Sequence, residues 1–353
     1  MDEAEKIEAR ARGQAAAADQ RSSSERARCI FCRAVGEYTG FNREYAAFLP
    51  HSAHRGGHSD SDGVLSDLVV CVGVKTYLML PRRPLVPGHC LIVPIEHGGV
   101  TAGMDAPVLE EVRYFQKLLA RAFAASGSRD CIFTETVLRG TGSERAVSVD
   151  AALGGTPSSA KGMFGAGAFS VDGASSGNGT SENRSGNATS SSDRHHTFVE
   201  CFPVPRKDFT AASSVFRQCI RDISDDWASH EPIIDTSQRG IHALPSSVAF
   251  SYFHVQFGPD TPDSSLSAAE LETRGASARS SRFAPGFGHI IEDTRKFPVR
   301  FAAATVGSLL GMDSMEISQR RPPESVDERR RRKEEFKAIW NPYDWTRKLA
   351  QKP

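Results

Sequence analysis

Two apolar runs, Leu68–Val74 and Thr76–Leu80, flank a turn and predict a pair of strands. His89–Ile95 predicts a third strand, Cys131–Val137 a fourth and His196–Val204 a fifth. Between the third and fourth the period changes. Leu109, Val112, Phe115, Leu119 and Phe123 recur at helical spacing, so a helix over about residues 105–125 lays one apolar stripe on the sheet. Asp105 suits its N-cap and Pro107 its first turn. Short strands with one helix between them predict an α+β fold, a mainly antiparallel sheet with the helix on one face.

The pattern then repeats more sparsely. Phe216, Cys219, Ile220, Ile223 and Trp227 mark an amphipathic helix. Tyr252–Gly258 and Phe287–Glu292 alternate as strands. Phe297–Leu310 reads as a helix with Pro298 in its first turn, and Glu324–Ile339 as a charged helix leading into W-N-P-Y-D-W-T. Stretches at about 50–63, 140–193 and 260–282 are rich in small and polar residues with little to bury, so they predict disordered insertions. The organisation that follows is a charged tail over 1–24 and an α+β domain over 25–205, carrying the insertion at about 140–193. A smaller α+β domain spans 206–353, with its insertion at about 260–282.

Charge narrows the partners. The chain has 43 Lys+Arg and 43 Asp+Glu, a formal net charge of zero, so no global electrostatic grip on nucleic acid is implied. The densest basic run is Arg329, Arg330, Arg331, Arg332 and Lys333, flanked by Asp327, Glu328, Glu334 and Glu335. On a helix such a run is a solvated, self-compensating face or a contact for RNA phosphates, with Arg82, Arg83, Arg320 and Arg321 as possible additions. The aromatic Trp340, Tyr343 and Trp345 read as a tail that packs on the domain. No run of about 18 apolar residues exists to cross a membrane, and the polar N-terminus lacks a secretory signal. A cytosolic or nuclear compartment is the default, where seven cysteines are not expected to form disulfides and a C-x-x-C pair suits a metal.

That pair is Cys29 and Cys32, in C-I-F-C. With His97, just past the third predicted strand, and His196, at the start of the fifth, it reads as one closed four-ligand zinc site, a structural type. Each part alone has a plainer reading: two small buried cysteines, and a strand-end histidine satisfied elsewhere. The strand's alternation admits only one of His195 and His196 to the site.

C-x-x-C, then P-G-H-C-L-I-V-P-I-E-H, a helix, and a strand beginning with His and ending in F-P resemble the histidine-triad superfamily of nucleotide-binding proteins. The longer motifs resemble the CwfJ family of splicing-complex proteins more closely. R-C-I-F-C and H-H-T-F-V-E-C-F-P-V-P match its first C-terminal domain; Y-F-H-V-Q-F-G, G-F-G-H-I-I-E-D and W-N-P-Y-D-W-T match its second. H-H-T-F-V-E-C is similar to the second Cwf-nineteen-like branch. The resemblance joins Cys29, Cys32, His97 and His196 as the zinc ligands and aligns the three triad positions with His196, Phe198 and Glu200. The nucleophile's place is then Phe198, which has no lone pair, so no catalytic residue is assigned.

What the resemblance implies is a nuclear, non-catalytic, zinc-stabilised scaffold of late or post-splicing complexes. Its partners would be spliceosomal proteins, the lariat-debranching enzyme and RNA, with no membrane. The alternative is a histidine-triad-like nucleotide hydrolase or transferase. His89 and His289 are the pocket candidates; His89 and His254 also suit packed positions, and a structural role is the plainer reading of His289. Family members usually carry a long charged region before these domains, whereas 28 residues precede Cys29 here. A fragment, a shortened gene model or a reduced paralogue is the expectation.

Overall fold

The computed structural model describes residues 26, 29–39, 65–98, 100–138, 196–224, 230–246, 250–260, 283–313, 317 and 324–349. The predicted tail over 1–24, the insertions at about 50–63 and 140–193, and 261–282 of the third lie outside the described residues, as do His195, Trp227, Arg320 and Arg321. The α+β expectation holds. Among the described residues eight strands form a single sheet in the order β1-β2-β3-β5-β4-β7-β8-β6, antiparallel at every pairing. They are β1 (Val69–Val72), β2 (Thr76–Met79), β3 (Cys90–Pro94), β4 (Arg129–Val137), β5 (Val199–Pro205), β6 (Ile234–Asp235), β7 (Ser251–Phe257) and β8 (Gly286–Ile291).

β4 is the seam. One edge pairs with β5 and the other with β7, from Ile132 opposite Phe257 to Val137 opposite Tyr252. The segments before and after residue 206 therefore share one sheet. Alternation along β4 and its neighbours assigns the faces. Cys131, Phe133, Val199 and Cys201 join one core cluster, while Ile132, Phe202, Val255 and Phe257 join another.

The first face is covered by helix α2 (Ala106–Gly127), after the knuckle helix α1 (Ile30–Tyr38). The predicted stripe of α2 is buried as expected. Asp105 holds the N-cap position but makes no side-chain cap bond. The second face is covered by α3 (Arg206–Ile223) and α4 (Phe301–Leu309). Phe216 of α3 stacks on Phe253 with the rings 9° from parallel. α3 begins well before Phe216, directly after β5, because Pro205 at its N-cap turns the chain without a loop. α4 starts later than its apolar run: Phe297 and Pro298 form the turn before it, where the Phe301 amide donates to the Pro298 carbonyl.

The last helix, α5 (Val326–Trp340), starts in a capping box: Ser325 accepts from the Glu328 amide and the Glu328 side chain returns to the Ser325 amide. It runs back onto α2. Phe336 meets Phe123 with centroids 6.1 Å apart, and Trp340 stacks on Phe115 at 5.8 Å. Trp345 packs on Phe115 as well, so the aromatic tail docks as its composition predicts. Trp340 is 1% exposed. Trp340→Phe is expected to cost about 1–3 kcal/mol by leaving part of that site unfilled, read as a lower urea midpoint at unchanged slope.

Candidate metal centre

Cys29 sits at the N-cap position of α1, and Cys32 in its first turn, so a C-x-x-C spacing turns both thiols to one side. His97 follows β3 by three residues and His196 precedes β5 by three, and those strands are hydrogen-bonded neighbours. His196 thus lies in the lead-in to its strand, not in it. The cause is local: its Nε2 bonds the Pro94 carbonyl at 2.6 Å, and Thr197 turns inward to a buried carboxylate.

Four donor atoms converge here. Cys29 Sγ lies 3.4 Å from His196 Nδ1, Cys32 Sγ lies 3.4 Å from His97 Nδ1, and Cys32 Sγ lies 3.5 Å from His196 Nδ1. All four ligand atoms fall within 4.8 Å of one another. A tetrahedral zinc with bonds of about 2.0–2.3 Å separates its ligand atoms by about 3.3–3.8 Å. Three of the cluster's edges, at 3.4–3.5 Å, have the length such an ion requires. The Pro94 carbonyl fixes the proton of His196 on Nε2, which frees the Nδ1 lone pair for a metal. Cys29 is held well below the usual thiol range, chiefly by its hydrogen bond with Cys32 and further by His196, against the opposing effect of burial. Cys32 is pushed up by the same partnership and by burial. The pair therefore holds one negative charge readily, and a divalent cation favours the second ionisation. Phe31 packs its ring 5.2 Å from His196, and the Tyr77 hydroxyl donates to the Phe31 carbonyl, tying the knuckle to β2.

The other expected site residues scatter. Phe198 lies against Phe31 at 5.2 Å. Glu200 faces His89, whose Nε2 is 3.5 Å from Glu200 Oε1, while His89 Nδ1 accepts from the Leu85 amide. Burial lowers the His89 pKa, against the raising effect of Glu200. His289 bonds the Pro232 carbonyl through Nδ1 and stacks on Phe297, whereas His89 packs on Phe202. The basic run divides. Arg332 grips the Glu324 carboxylate with two nitrogens and donates to the Pro81 carbonyl; Arg329 donates to the Glu324 carbonyl. Lys333 sits over the Tyr38 ring. Arg330 and Arg331 stay exposed, within loose ion-pair range of Asp327 and Glu335. Arg329 and Arg332 thus brace the helix, and Arg330 and Arg331 remain the outward pair.

One residue outside every motif holds a central place. Glu135, buried in β4, accepts the Thr101 amide and hydroxyl and the Thr197 hydroxyl on Oε1, and the Tyr252 hydroxyl on Oε2. Its signal in the sequence was position: in C-I-F-T-E-T-V it shares a face with Phe133 and Val137.

Residues 60–151 match the family model described as protein similar to CwfJ C-terminal, and residues 226–346 match protein similar to CwfJ C-terminus 2. The human CWF19-like protein 2 is 26% identical over 290 residues, 82% of this chain and 24% of the relative. The Caenorhabditis elegans CWF19-like protein 2 homolog is 24% identical over 291 residues, 82% of this chain and 46% of its own length. The Schizosaccharomyces pombe protein named pre-mRNA-splicing factor cwf19 is 23% identical over 290 residues, 80% of this chain and 33% of its own. The chain therefore spans a minor part of these relatives. With both CwfJ C-terminal segments present in order and joined across the β4–β7 seam, the chain belongs to the CwfJ/Cwf19-like family.

Proposed function

We propose that this chain is a nuclear, non-catalytic, zinc-stabilised scaffold in pre-mRNA splicing, acting on late or post-splicing complexes and in intron-lariat turnover. Support for the splicing role comes from relatives such as the Schizosaccharomyces pombe protein named as a splicing factor. The identities of Phe198 and Glu200 support the non-catalytic half. On a histidine-triad-like reading of the sheet, Phe198 and Glu200 stand where an attacking imidazole and a phosphate-binding donor belong. A phenyl ring has no lone pair to attack phosphorus, and a carboxylate repels the anion that donors must hold in such a transition state. Cys29, Cys32, His97 and His196 would hold zinc, which closes the knuckle over the sheet without an open position for substrate. Spliceosomal proteins, the lariat-debranching enzyme and RNA are the partners this reading assigns.

The test has two arms. Purified chain given adenosine phosphoramidate, dinucleoside polyphosphates and capped RNA is expected to show no turnover above buffer. Pull-down from nuclear extract is expected to recover post-splicing complexes and lariat introns. Turnover that follows the protein through purification and falls in His89→Ala or His289→Ala would establish a nucleotide hydrolase or transferase instead. Recovery without spliceosomal proteins overturns the splicing role.

A further inference from the structure

The seven cysteines divide by their surroundings. Cys71, Cys90, Cys131 and Cys201 lie in the core at 4%, 0%, 1% and 0% exposure. Cys90 and Cys201 face each other across β3 and β5, but an oxidant in water does not reach them while the sheet is closed. Cys219 is partly exposed on α3, and no other cysteine lies on that helix. Cys29 alone combines access with a second thiol close by.

The metal cluster meets solvent along one edge. Cys29 and His97 are partly exposed, whereas Cys32 and His196 are buried. Cys29 holds the N-cap position of α1 and Cys32 its third helical position. Side chains at those two positions reach towards each other, as they do in a capping box. Cys29 spends nothing on the helix, since its side chain makes no cap bond. Both sulfurs instead crowd one atom, His196 Nδ1, at 3.4 and 3.5 Å, and lie within 4.8 Å of each other. An accessible sulfur beside a buried resolving thiol is the arrangement of redox-sensing cysteines, and C-x-x-C pairs serve as reversible disulfides in thiol oxidoreductases.

We propose that Cys29 and Cys32 are an oxidation site, where hydrogen peroxide joins the two sulfurs in a disulfide and expels the zinc. The proposal rests on the zinc reading of the cluster. Coordinated to zinc, both sulfurs are thiolates. The Cys29 sulfur, on the solvent edge, attacks one peroxide oxygen. The S–O bond forms as the O–O bond breaks, and the departing hydroxide takes a solvent proton and leaves as water. Cys29 is then a sulfenic acid. The Cys32 thiolate attacks that sulfur; the S–S bond forms, the S–O bond breaks, and the second hydroxide leaves as water with another solvent proton. Two electrons pass from the sulfurs to the peroxide. The ion keeps two imidazoles and loses both anionic donors. Oxidation therefore unties the knuckle from the His97 and His196 loops, and a thiol reductant with zinc restores the tie.

The experiment uses the full chain as purified, freed of reductant and treated with a small excess of hydrogen peroxide. A chromogenic chelator follows released zinc, and peptide mass spectrometry without reduction locates disulfides. Zinc loss is expected in step with a Cys29–Cys32 disulfide, and dithiothreitol with fresh zinc should reverse both. Cys219→Ser should respond as the unaltered chain does. Cys32→Ser removes the resolving thiol, so oxidation should stop at a Cys29 sulfenic acid that dimedone captures. Zinc measured before oxidation separates the two readings. A chain that carries none refutes the zinc reading. A chain that carries zinc and keeps it under peroxide, with Cys29 and Cys32 still thiols, refutes the oxidation site alone. Zinc loss without that disulfide, or a response that disappears in Cys219→Ser, overturns the proposal as well.

Discussion

Cys29→Ser is expected to abolish stoichiometric zinc and to lower the melting temperature by about 10 °C or more. Zinc bound to folded chain and not to unfolded chain contributes its binding energy to folding, about 10–16 kcal/mol in small zinc-finger peptides. Here the sheet has its own core, so the loss is confined to what the ion ties down. That is the knuckle, whose Phe31, Ala34 and Val35 are 0%, 0% and 5% exposed, together with the His97 and His196 loops. Releasing those side chains to water forfeits roughly 3–5 kcal/mol. Elemental analysis should give about one zinc per chain, and a chelator should reproduce the variant's melting curve in the unaltered protein. Acid should do the same, because thiols and imidazoles must lose their protons to bind the ion. An unaltered melting curve after complete metal removal refutes the staple.

The strands and α2 were readable because each buries one face, and burial leaves its period in the sequence. The metal cluster was readable only in part. C-x-x-C announces itself, but His97 and His196 lie 65 and 164 residues from Cys32, and spacing alone does not bring them together. The family motifs did that. The seam was hidden for a different reason: the pattern of β4 tells which face is buried, not which strand lies along each edge. The basic run read as a solvated face, but Arg332 reaches the Pro81 carbonyl, a partner 251 residues away in sequence. Glu135 was hidden by sitting on an apolar face, where a single polar residue looks like noise until its surroundings are known.

Glu135→Leu is expected to destabilise the chain by about 3–5 kcal/mol, because it takes the shared acceptor from the Thr101 amide and three buried hydroxyls, on Thr101, Thr197 and Tyr252. These donors belong to different parts of the fold. Thr101 follows the His97 loop, Thr197 adjoins His196, and Tyr252 comes from β7 across the seam. The carboxyl therefore fastens both histidine loops of the metal centre to the second segment, and the leucine variant should lose zinc to a competing chelator faster than the unaltered protein. Glu135→Gln separates shape from charge. Its amide can donate to the Tyr252 oxygen while its carbonyl accepts from the threonines, as a protonated glutamic acid would. Burial raises the Glu135 pKa despite the four hydrogen bonds. The folded form thus holds its proton more tightly than the unfolded chain. The stability this lends is full below the unfolded value and is lost as pH rises through the folded one. Denaturant unfolding across that window should show the unaltered protein falling relative to Glu135→Gln, with the two closest at the acid end. A constant difference between them would mean that Glu135 does not titrate in the folded state as its burial requires.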